Sequence, residues 1–273
     1  MGAEALKNAV SVVEVLSSLQ GRLSVFADPL LSGGRLAVRG GRRDILDDAF
    51  AEMDRTAIEA RQVESHLVRL VLEMDQETQR LIAPLQQPKG AERRPGIWGR
   101  FRLREPERAE ADKDRRAIVA LVALLRETDI LLGALEDHRS FLRALLLRCE
   151  QALDEALVRV RSVAGRPEGN HVADDLQPGI DLLQELVDRI IGLIGANSLL
   201  INKLSVDAEE RVIVLSGLRF VLDEGDESVP KLAYLFRRAE RGLLSLKGLS
   251  SRKARINEAF RFRLNASRQA ATA

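Results

Sequence analysis

Residues 118–163 decide the fold class, and they read IVALVALLRETDILLGALEDHRSFLRALLLRCEQALDEALVRVRSV. Alternate steps of three and four residues along this stretch meet apolar side chains everywhere except at Thr128 and Arg139. Such spacing is typical of the buried seam of a coiled-coil or bundle helix. The stretch has no proline and only one glycine, Gly133, so it predicts a single helix roughly 70 Å long. The glycine and proline of Gly165–Pro167 would end this helix.

The same spacing predicts two further long helices. One covers 44–83, with Asp44 as its N-cap and Pro84 as its stop. The other covers 180–222 and follows Pro178-Gly179, a pair that usually marks a turn. Because each helix carries one apolar stripe, we expect these helices to pack side by side in a bundle.

Shorter apolar stripes predict helices over 3–25 and about 230–264, which makes about five helices in total. No segment alternates apolar and polar residues over the length of a strand. The predicted fold is therefore all-α: an elongated bundle with long coiled-coil-like helices and no sheet. The chain then divides into N-terminal helices over 1–85, a basic aromatic loop over 86–108, a long helical bundle over 109–265 and a flexible C-terminal tail over 266–273.

The charge balance argues against a nucleic-acid-binding protein. The chain has 42 basic and 41 acidic residues, whereas nucleic-acid binders are usually strongly basic. Its single cysteine, Cys149, cannot form an intramolecular disulfide, which favours a reducing compartment. The N-terminal sequence reads as neither an export nor a lipidation signal, and no charge-free apolar run is long enough for a membrane span. We expect a cytoplasmic protein, with peripheral contact at the inner membrane face as the alternative.

The residues that usually form metal and catalytic sites lack the spacing that such sites need. A di-iron bundle requires a glutamate three residues before each ligating histidine, and neither His66 nor His138 has one. His138 follows acidic residues, which predicts an exposed, solvated side chain. His171 with Asp174 and Asp175 is more typical of a helix entry than of a metal site. We therefore predict no cofactor, no metal, no small-molecule substrate and no enzymatic activity.

Three polar residues occupy seam positions of the predicted helices. Asn197 lies at a core position, where a buried amide typically fixes helix register and oligomeric state. Arg139 and Arg211 would either extend their stems over the core with the guanidinium outside or pair across an interface, and anion binding is the less favoured alternative. The carboxylates of Glu209–Glu210 fall opposite the apolar stripe, where we expect them to be solvated.

The loop over 86–108 contains the sequence RRPGIWGRFRLREPER at residues 93–108, with the only tryptophan of the chain. Its apolar side chains and arginines suit a protein groove, which includes a second copy or the protein's own bundle, and equally an anionic membrane. A nucleic-acid contact or a plain flexible linker are the remaining readings. The predicted interaction residues are Ile97, Trp98, Arg100, Phe101, Arg102 and Leu103.

A family resemblance covers residues 93–160. GIWGRFRLREPER at 96–108, followed by a long helix with Leu121, Leu125, Asp129 and Leu132 in sequence, resembles the corresponding part of the bacterial toxic-anion-resistance (TelA-like) helical proteins. That family has no established catalytic residues to carry over. The resemblance implies accessory work in cytoplasmic stress resistance.

The function that we expect from the sequence is a non-catalytic cytoplasmic scaffold or adaptor that acts through protein–protein interaction. Its partner would be another protein or a second copy of the chain. The alternative is a peripheral membrane-associated helical protein, anchored by the Pro95–Leu103 segment and serving in stress or toxic-anion resistance.

Overall fold

The structure of the chain, a computed structural model, describes residues 9–31, 43–86, 104–163, 169–218 and 230–272. All regular secondary structure in these ranges is helical, and they contain no strand. The predicted all-α bundle without a sheet is confirmed for this part of the chain. Its helices, in chain order, are α1 (Ala9–Leu31), α2 (Arg43–Gln86), α3 (Arg104–Val163), α4 (Gly169–Gly217), α5 (Ala233–Glu240) and α6 (Leu246–Thr272).

Two predicted helix ends are wrong, because the prolines expected to mark them lie inside helices. Pro84 belongs to α2 and Pro178 to α4. An interior proline removes one helical hydrogen bond and costs about 3 kcal/mol or more. In α4, Leu176 and Ile180 are buried on either side of the proline, and their packing offsets that cost. Pro84 lies only two residues before the end of α2, so the helix continues little beyond it.

Other boundaries also differ from the predicted ones. Asp44 lies in the first turn of α2 rather than at its N-cap. The predicted loop over 86–108 is helical from Arg104 onward, because Pro106 sits in a first turn, where its missing N–H has no helical acceptor to lose. The predicted tail over 266–273 belongs to α6 as far as Thr272.

The single helix expected over 230–264 is two helices, so the described residues contain six helices rather than about five. The break follows α5 at Gly242, which has a φ of 66°. This left-handed conformation ends helices and is adopted readily only by glycine. The three-four stepping continues across the break, and therefore did not reveal it.

The described residues form two compact units. Unit 1 comprises 9–31, 43–67, 134–163, 169–201 and 262–272, and unit 2 comprises 68–86, 104–133, 202–218 and 230–261. Each unit is discontinuous in sequence, because α2, α3, α4 and α6 each contribute one part to each unit.

The core of unit 1 is a four-helix cluster. Cys149, which lies on the three-four stepping of the 118–163 stretch and is therefore predicted to be buried, is buried in it, and burial raises the pKa of its thiol to about 11. A second cluster joins Ala156 of α3 to Leu176 and Ile180 of α4. The main cluster consists of Leu19, Leu23 and Ala27 from α1, Met53 and Ala60 from α2, Leu142, Leu145 and Cys149 from α3, and Leu182, Leu186 and Ile190 from α4.

Unit 2 buries apolar residues from five helices together with several charged ones. Its fully buried large side chains include a lysine and an arginine, Lys203 and Arg211, which is unusual in a helical core. The buried apolar side chains include Val71 and Met74 from α2, Leu121 and Leu125 from α3, Leu204 and Val212 from α4, Leu235 and Phe236 from α5, and Leu249 and Phe260 from α6.

One helical stretch among the described residues is long and apolar enough to cross a membrane by length and composition. It is Leu176–Gly217 of α4, with a mean hydropathy of 1.2 in its most apolar window. Half of that window is buried inside the fold, and core helices of soluble proteins pass the same test. The stretch therefore assigns no location to the protein.

Candidate functional site: a buried ionic network and a basic turn

All six predicted interaction residues lie outside the described residues. These are Ile97, Trp98, Arg100, Phe101, Arg102 and Leu103. Asn197 is described, and it is buried in unit 1 as its seam position predicts. Its Nδ2 donates a hydrogen bond to the backbone oxygen of Leu135 on α3, at 3.0 Å. The amide thus has the polar partner that a buried position demands, and its role in fixing register stays a prediction.

A chain of alternating charges links three helices of unit 2. The ammonium of Lys203 on α4 is fully buried and donates to Asp75 Oδ2 on α2 at 2.9 Å and to Asp207 Oδ1 at 2.6 Å. Lys253 on α6 lies 2.9 Å from the other Asp75 oxygen and 2.5 Å from Glu210 Oε2. Because Lys203 and Asp207 are four residues apart on one helix, they face the same neighbours. We call these five residues the ionic network.

The pKa values of the two aspartates of the ionic network are shifted in opposite directions, although burial tends to raise both. Burial tends to raise the pKa of Asp75, but the hydrogen bonds and charges of Lys203 and then Lys253 outweigh it and hold that pKa below its usual value. Burial raises the pKa of Asp207 to about 6 despite the charge of Lys203. Among the described residues, Asp207 Oδ2 has no hydrogen-bond partner, which leaves its desolvation only partly offset.

Arg211 binds two threonines and two carbonyl groups in the interior of unit 2. Its Nε donates to Thr78 Oγ1 at 2.7 Å, and its Nη1 donates to Thr128 Oγ1. Both hydroxyls donate in turn to a carbonyl one turn earlier, those of Met74 and Leu124, which also lie 3.4 Å from the guanidinium. Of the two predicted arrangements, a guanidinium outside the core is wrong, because these oxygens satisfy it inside, and pairing across an interface is the one that the structure shows. It pairs with neutral groups across an interface between helices.

The prediction that Glu209 and Glu210 are solvated is also wrong. Glu209 is buried, its Oε2 accepts from Arg252 of α6 at 2.9 Å, and its Oε1 lies 4.0 Å from Nη1 of Arg238 on α5. Glu210 is half-buried and accepts from Gln79 at 2.9 Å as well as from Lys253. The segment after residue 230 covers this flank of α4, and a single-seam pattern does not indicate such a cover.

His138 of unit 1 is buried rather than exposed. Its Nδ1 lies 3.3 Å from Nε2 of Gln20 on α1, and its ring stacks on Phe141 with a centroid distance of 6.3 Å. Burial lowers its pKa to about 4. The acidic neighbours in sequence point elsewhere on the helix, so they did not predict this environment. No group of three or more histidine, cysteine or acidic residues in the described ranges is placed to hold a metal ion.

The turn between α5 and α6 has a strongly specified backbone. Gly242 N–H donates to the carbonyl of Ala239, and Leu243 N–H donates to that of Arg238, each at 2.9 Å. This pair of bonds is the Schellman arrangement that closes a helix with a left-handed glycine. The residue at the position of Leu243 usually packs back on its helix, yet here its side chain is 62% exposed.

The start of α6 is fixed as firmly as the end of α5. Ser245 Oγ accepts a hydrogen bond from Gly248 N–H at 3.3 Å, which makes Ser245 an N-cap. Leu246, the next residue, is 43% exposed. Both leucines are therefore presented to solvent by a defined turn.

Basic side chains surround these leucines. Arg237, Arg241 and Lys247 are exposed, and none has a carboxylate partner among the described residues. Arg237 on α5 and Arg241, the residue that caps its C-terminus, lie on the same side of that helix as exposed Tyr234. We call the set of Tyr234, Arg237, Arg241, Leu243, Leu246 and Lys247 the basic turn.

A sequence signal for the basic turn exists in the local charge. Residues 230–261 hold nine of the 42 basic residues and only two of the 41 acidic ones. The near-zero net charge of the whole chain conceals this excess. Part of it is neutralised by α4 and α2 carboxylates, and only the tertiary structure separates the paired basic residues from the exposed ones.

Comparison with family models, curated proteins and solved structures finds no significant match. The resemblance of residues 93–160 to the toxic-anion-resistance family therefore stays a prediction.

Proposed function

We propose that the protein is a non-catalytic helical scaffold or adaptor that acts through protein–protein interaction. The observation that supports this proposal is that the buried ionisable side chains of unit 2 bind groups on neighbouring helices. The ionic network and Arg211 bind other side chains and backbone groups of α2, α3, α4 and α6. Side chains that join helices in this way keep the helices of unit 2 in a fixed arrangement.

A buried network of charges contributes more to a specific arrangement of helices than to a high free energy of unfolding. Replacing buried ion pairs by apolar residues is often neutral or stabilising by about 1–4 kcal/mol, so their benefit lies in specificity where one arrangement must win. An apolar seam tolerates sliding by one heptad, whereas sliding of α4 along α2 would break the buried contact of Lys203 with Asp75. Fixed register keeps surface residues at fixed positions, which an adaptor requires.

The partner-binding segment of this proposal is the sequence 97–103. Trp98 and Phe101 supply apolar anchors, and the arginines beside them supply attraction to an acidic protein or to an acidic part of a second copy. We place the protein in the cytoplasm, since its lone cysteine is buried and suits a reducing compartment.

The test compares the wild-type chain with Trp98→Ala/Phe101→Ala. Partners that are cross-linked to the protein in the native cell are identified by mass spectrometry. The partner recovered most abundantly is purified, and its binding is measured by titration. Analytical ultracentrifugation tests for self-association. Loss of the anchors should weaken binding by about 1–3 kcal/mol and leave the helical circular dichroism unchanged. Raised salt should weaken it too.

The matched control is Phe262→Ala, which removes an aromatic side chain that is 77% exposed on α6. It should leave partner binding unchanged. A chain that retains no partner and stays monomeric would contradict the proposal. A large loss of stability in the Trp98 and Phe101 variant with binding intact would show instead that the segment packs on the protein's own bundle.

A further inference from the structure

The basic turn combines exposed apolar and exposed cationic side chains on one connection whose backbone is fixed by hydrogen bonds. Leu243 and Leu246 are exposed, and Arg237, Arg241 and Lys247 flank them without carboxylate partners among the described residues. We propose that the basic turn docks on an anionic lipid bilayer, with the leucines at the acyl boundary and the cations among the headgroups. This contact is separate from the protein-binding role of 97–103, and it goes beyond the proposed scaffold function.

The apolar residues of the turn favour lipid over a protein groove. Leucine is under-represented among the side chains that dominate protein interfaces, where tryptophan, tyrosine and arginine prevail. At a bilayer surface, by contrast, aliphatic side chains flanked by lysine or arginine are the typical anchor. Leu243 and Leu246 are only three residues apart and need no preformed pocket in the partner.

Nucleic acid is a poorer fit than lipid, again because the exposed apolar side chains of the turn are leucines. Phosphate backbones would attract the three cations, but single strands bind through aromatic platforms, and Tyr234 is the only aromatic residue of the turn. Two exposed leucines add nothing to phosphate recognition. The three cations alone could bind several kinds of anionic ligand, and the two exposed leucines favour a lipid bilayer among them.

The structure also separates docking residues from structural ones in the same segment. Arg238 and Arg252 lie against Glu209, and Lys253 lies against Asp75 and Glu210. These ion pairs hold α5 and α6 on α4 and α2 within unit 2. Because the basic turn carries none of these contacts, its residues can be exchanged without loosening the helices that present it.

The experiment is co-sedimentation of the full chain with two kinds of vesicle. One is phosphatidylcholine alone, and the other contains about 30 mol % phosphatidylglycerol. We expect binding to the anionic vesicles only, weakened by salt. Leu243→Ala/Leu246→Ala should lower the partition coefficient about tenfold. Arg237→Gln/Arg241→Gln/Lys247→Gln should lower it about 100-fold, since each cation contributes about fivefold.

Matched variants on other exposed surfaces serve as controls. Arg61→Gln/Arg69→Gln/Arg143→Gln removes the same charge, and Leu147→Ala/Ile191→Ala removes similar exposed apolar area. Both should bind vesicles like the wild type, and circular dichroism checks that every variant is folded. Failure in this assay leaves the partner-binding test of 97–103 unaffected, so the two proposals fail separately.

Several results would overturn the proposal. They are absence of vesicle binding, equal binding to neutral vesicles, or equal losses in the turn variants and their controls. Vesicle binding that depends on Trp98 and Phe101 but not on the turn would also overturn it. Poly-glutamate and a duplex oligonucleotide are tested in parallel. Turn-dependent binding to either of them, without vesicle binding, would assign the turn to an acidic protein or to nucleic acid.

Discussion

At the scale of single residues, the interior of unit 2 is polar where a helical bundle is usually apolar. Lys203, Asp207 and Arg211 are buried within two helical turns of α4, and each meets oxygen or nitrogen atoms from another helix or from its own next turn. Buried charges tolerate the loss of one partner poorly, because the remaining charge is left in a medium of low polarity. This dependence makes the network testable by single substitutions.

Lys203→Met should destabilise the protein by about 3–5 kcal/mol, because it strands Asp207 without its cation. The free energy of unfolding is measured by urea titration followed by circular dichroism. Adding Asp207→Leu to the same chain should recover much of the loss, since it removes the stranded carboxyl. Lys247→Met, at an exposed lysine, is the control and should change stability by less than about 0.5 kcal/mol. If Lys203→Met lowers the free energy of unfolding by less than about 1 kcal/mol, the fold does not depend on this ion pair.

His138 should make stability fall as the solution is acidified. Burial lowers its pKa from 6.5 to about 4, so between these values the unfolded chain binds more protons than the folded one. The stability that the neutral ring contributes is present above pH 6.5 and is lost as pH falls toward 4, by about 3 kcal/mol. His138→Gln should therefore reduce the difference in unfolding free energy measured between about pH 7 and about pH 4.5.

Asp207 provides a control of opposite sign. Its pKa is raised to about 6, so the folded state takes up its proton first and this residue stabilises the fold as pH falls from 6 toward 3.8. Asp207→Asn should remove that gain and make acid destabilisation steeper than in the wild type. Equal pH profiles for wild type and His138→Gln would show that the histidine is hydrated in solution.

At the scale of elements, packing decides where helices continue and backbone conformation decides where they stop. Pro178 does not end α4, because buried apolar residues lie on both sides of it. Gly242 does end α5, although the apolar spacing continues beyond it. The reason is its left-handed conformation, with a φ of 66°, together with the two backbone hydrogen bonds that Gly242 and Leu243 donate back to α5. The Ser245 cap then starts α6 three residues later.

Gly242→Ala should destabilise the protein by about 1–2 kcal/mol, the cost of a left-handed conformation for a residue with a Cβ. No atom of the described structure lies within 4 Å of the added Cβ, so the cost is conformational rather than steric. Gly192→Ala is the matched control in α4, where the space is equally open, and it should stabilise by about 0.5–1 kcal/mol. Thermal unfolding measures both. A neutral Gly242→Ala would mean that the turn rearranges without cost.

At the scale of the whole molecule, charge is unevenly distributed along a nearly neutral chain. The chain carries a net charge of +1, yet residues 230–261 are strongly basic. Three of its nine basic residues meet carboxylates within unit 2, and three others belong to the basic turn. The elongated shape predicted from helix lengths stays a prediction, and small-angle X-ray scattering that shows a compact sphere would contradict it.

Asn197→Leu should change the oligomeric state or the free energy of unfolding, since a single buried amide on a seam restricts the registers that neighbouring helices accept. In the structure this amide donates to Leu135 O, a bond that leucine cannot make. Multi-angle light scattering coupled to size-exclusion chromatography measures the first quantity and urea unfolding the second. Leu200→Met, a conservative exchange at a buried position one turn away, is the control. If Asn197→Leu changes neither quantity, Asn197 is not a register device.

The sequence by itself determined the class of fold, the approximate course of four of the helices and the burial of Cys149 and Asn197. These features follow from apolar residues that recur at helical spacing, a local property of the chain. It also marked 97–103 as an interaction segment, which lies outside the described residues.

Asn197 apart, only the tertiary structure decided which charged and polar residues are buried. A seam pattern describes one stripe, but a helix with neighbours on several sides also buries its flanks, as at His138 and Glu209. Apart from the Lys203–Asp207 pair within α4, the partners of the buried charges lie far away in sequence: Thr78 and Arg211 are 133 residues apart, and Asp75 and Lys203 are 128 apart. Local spacing carries no information about such pairs, because the free energy that selects them arises when distant helices meet and exclude water.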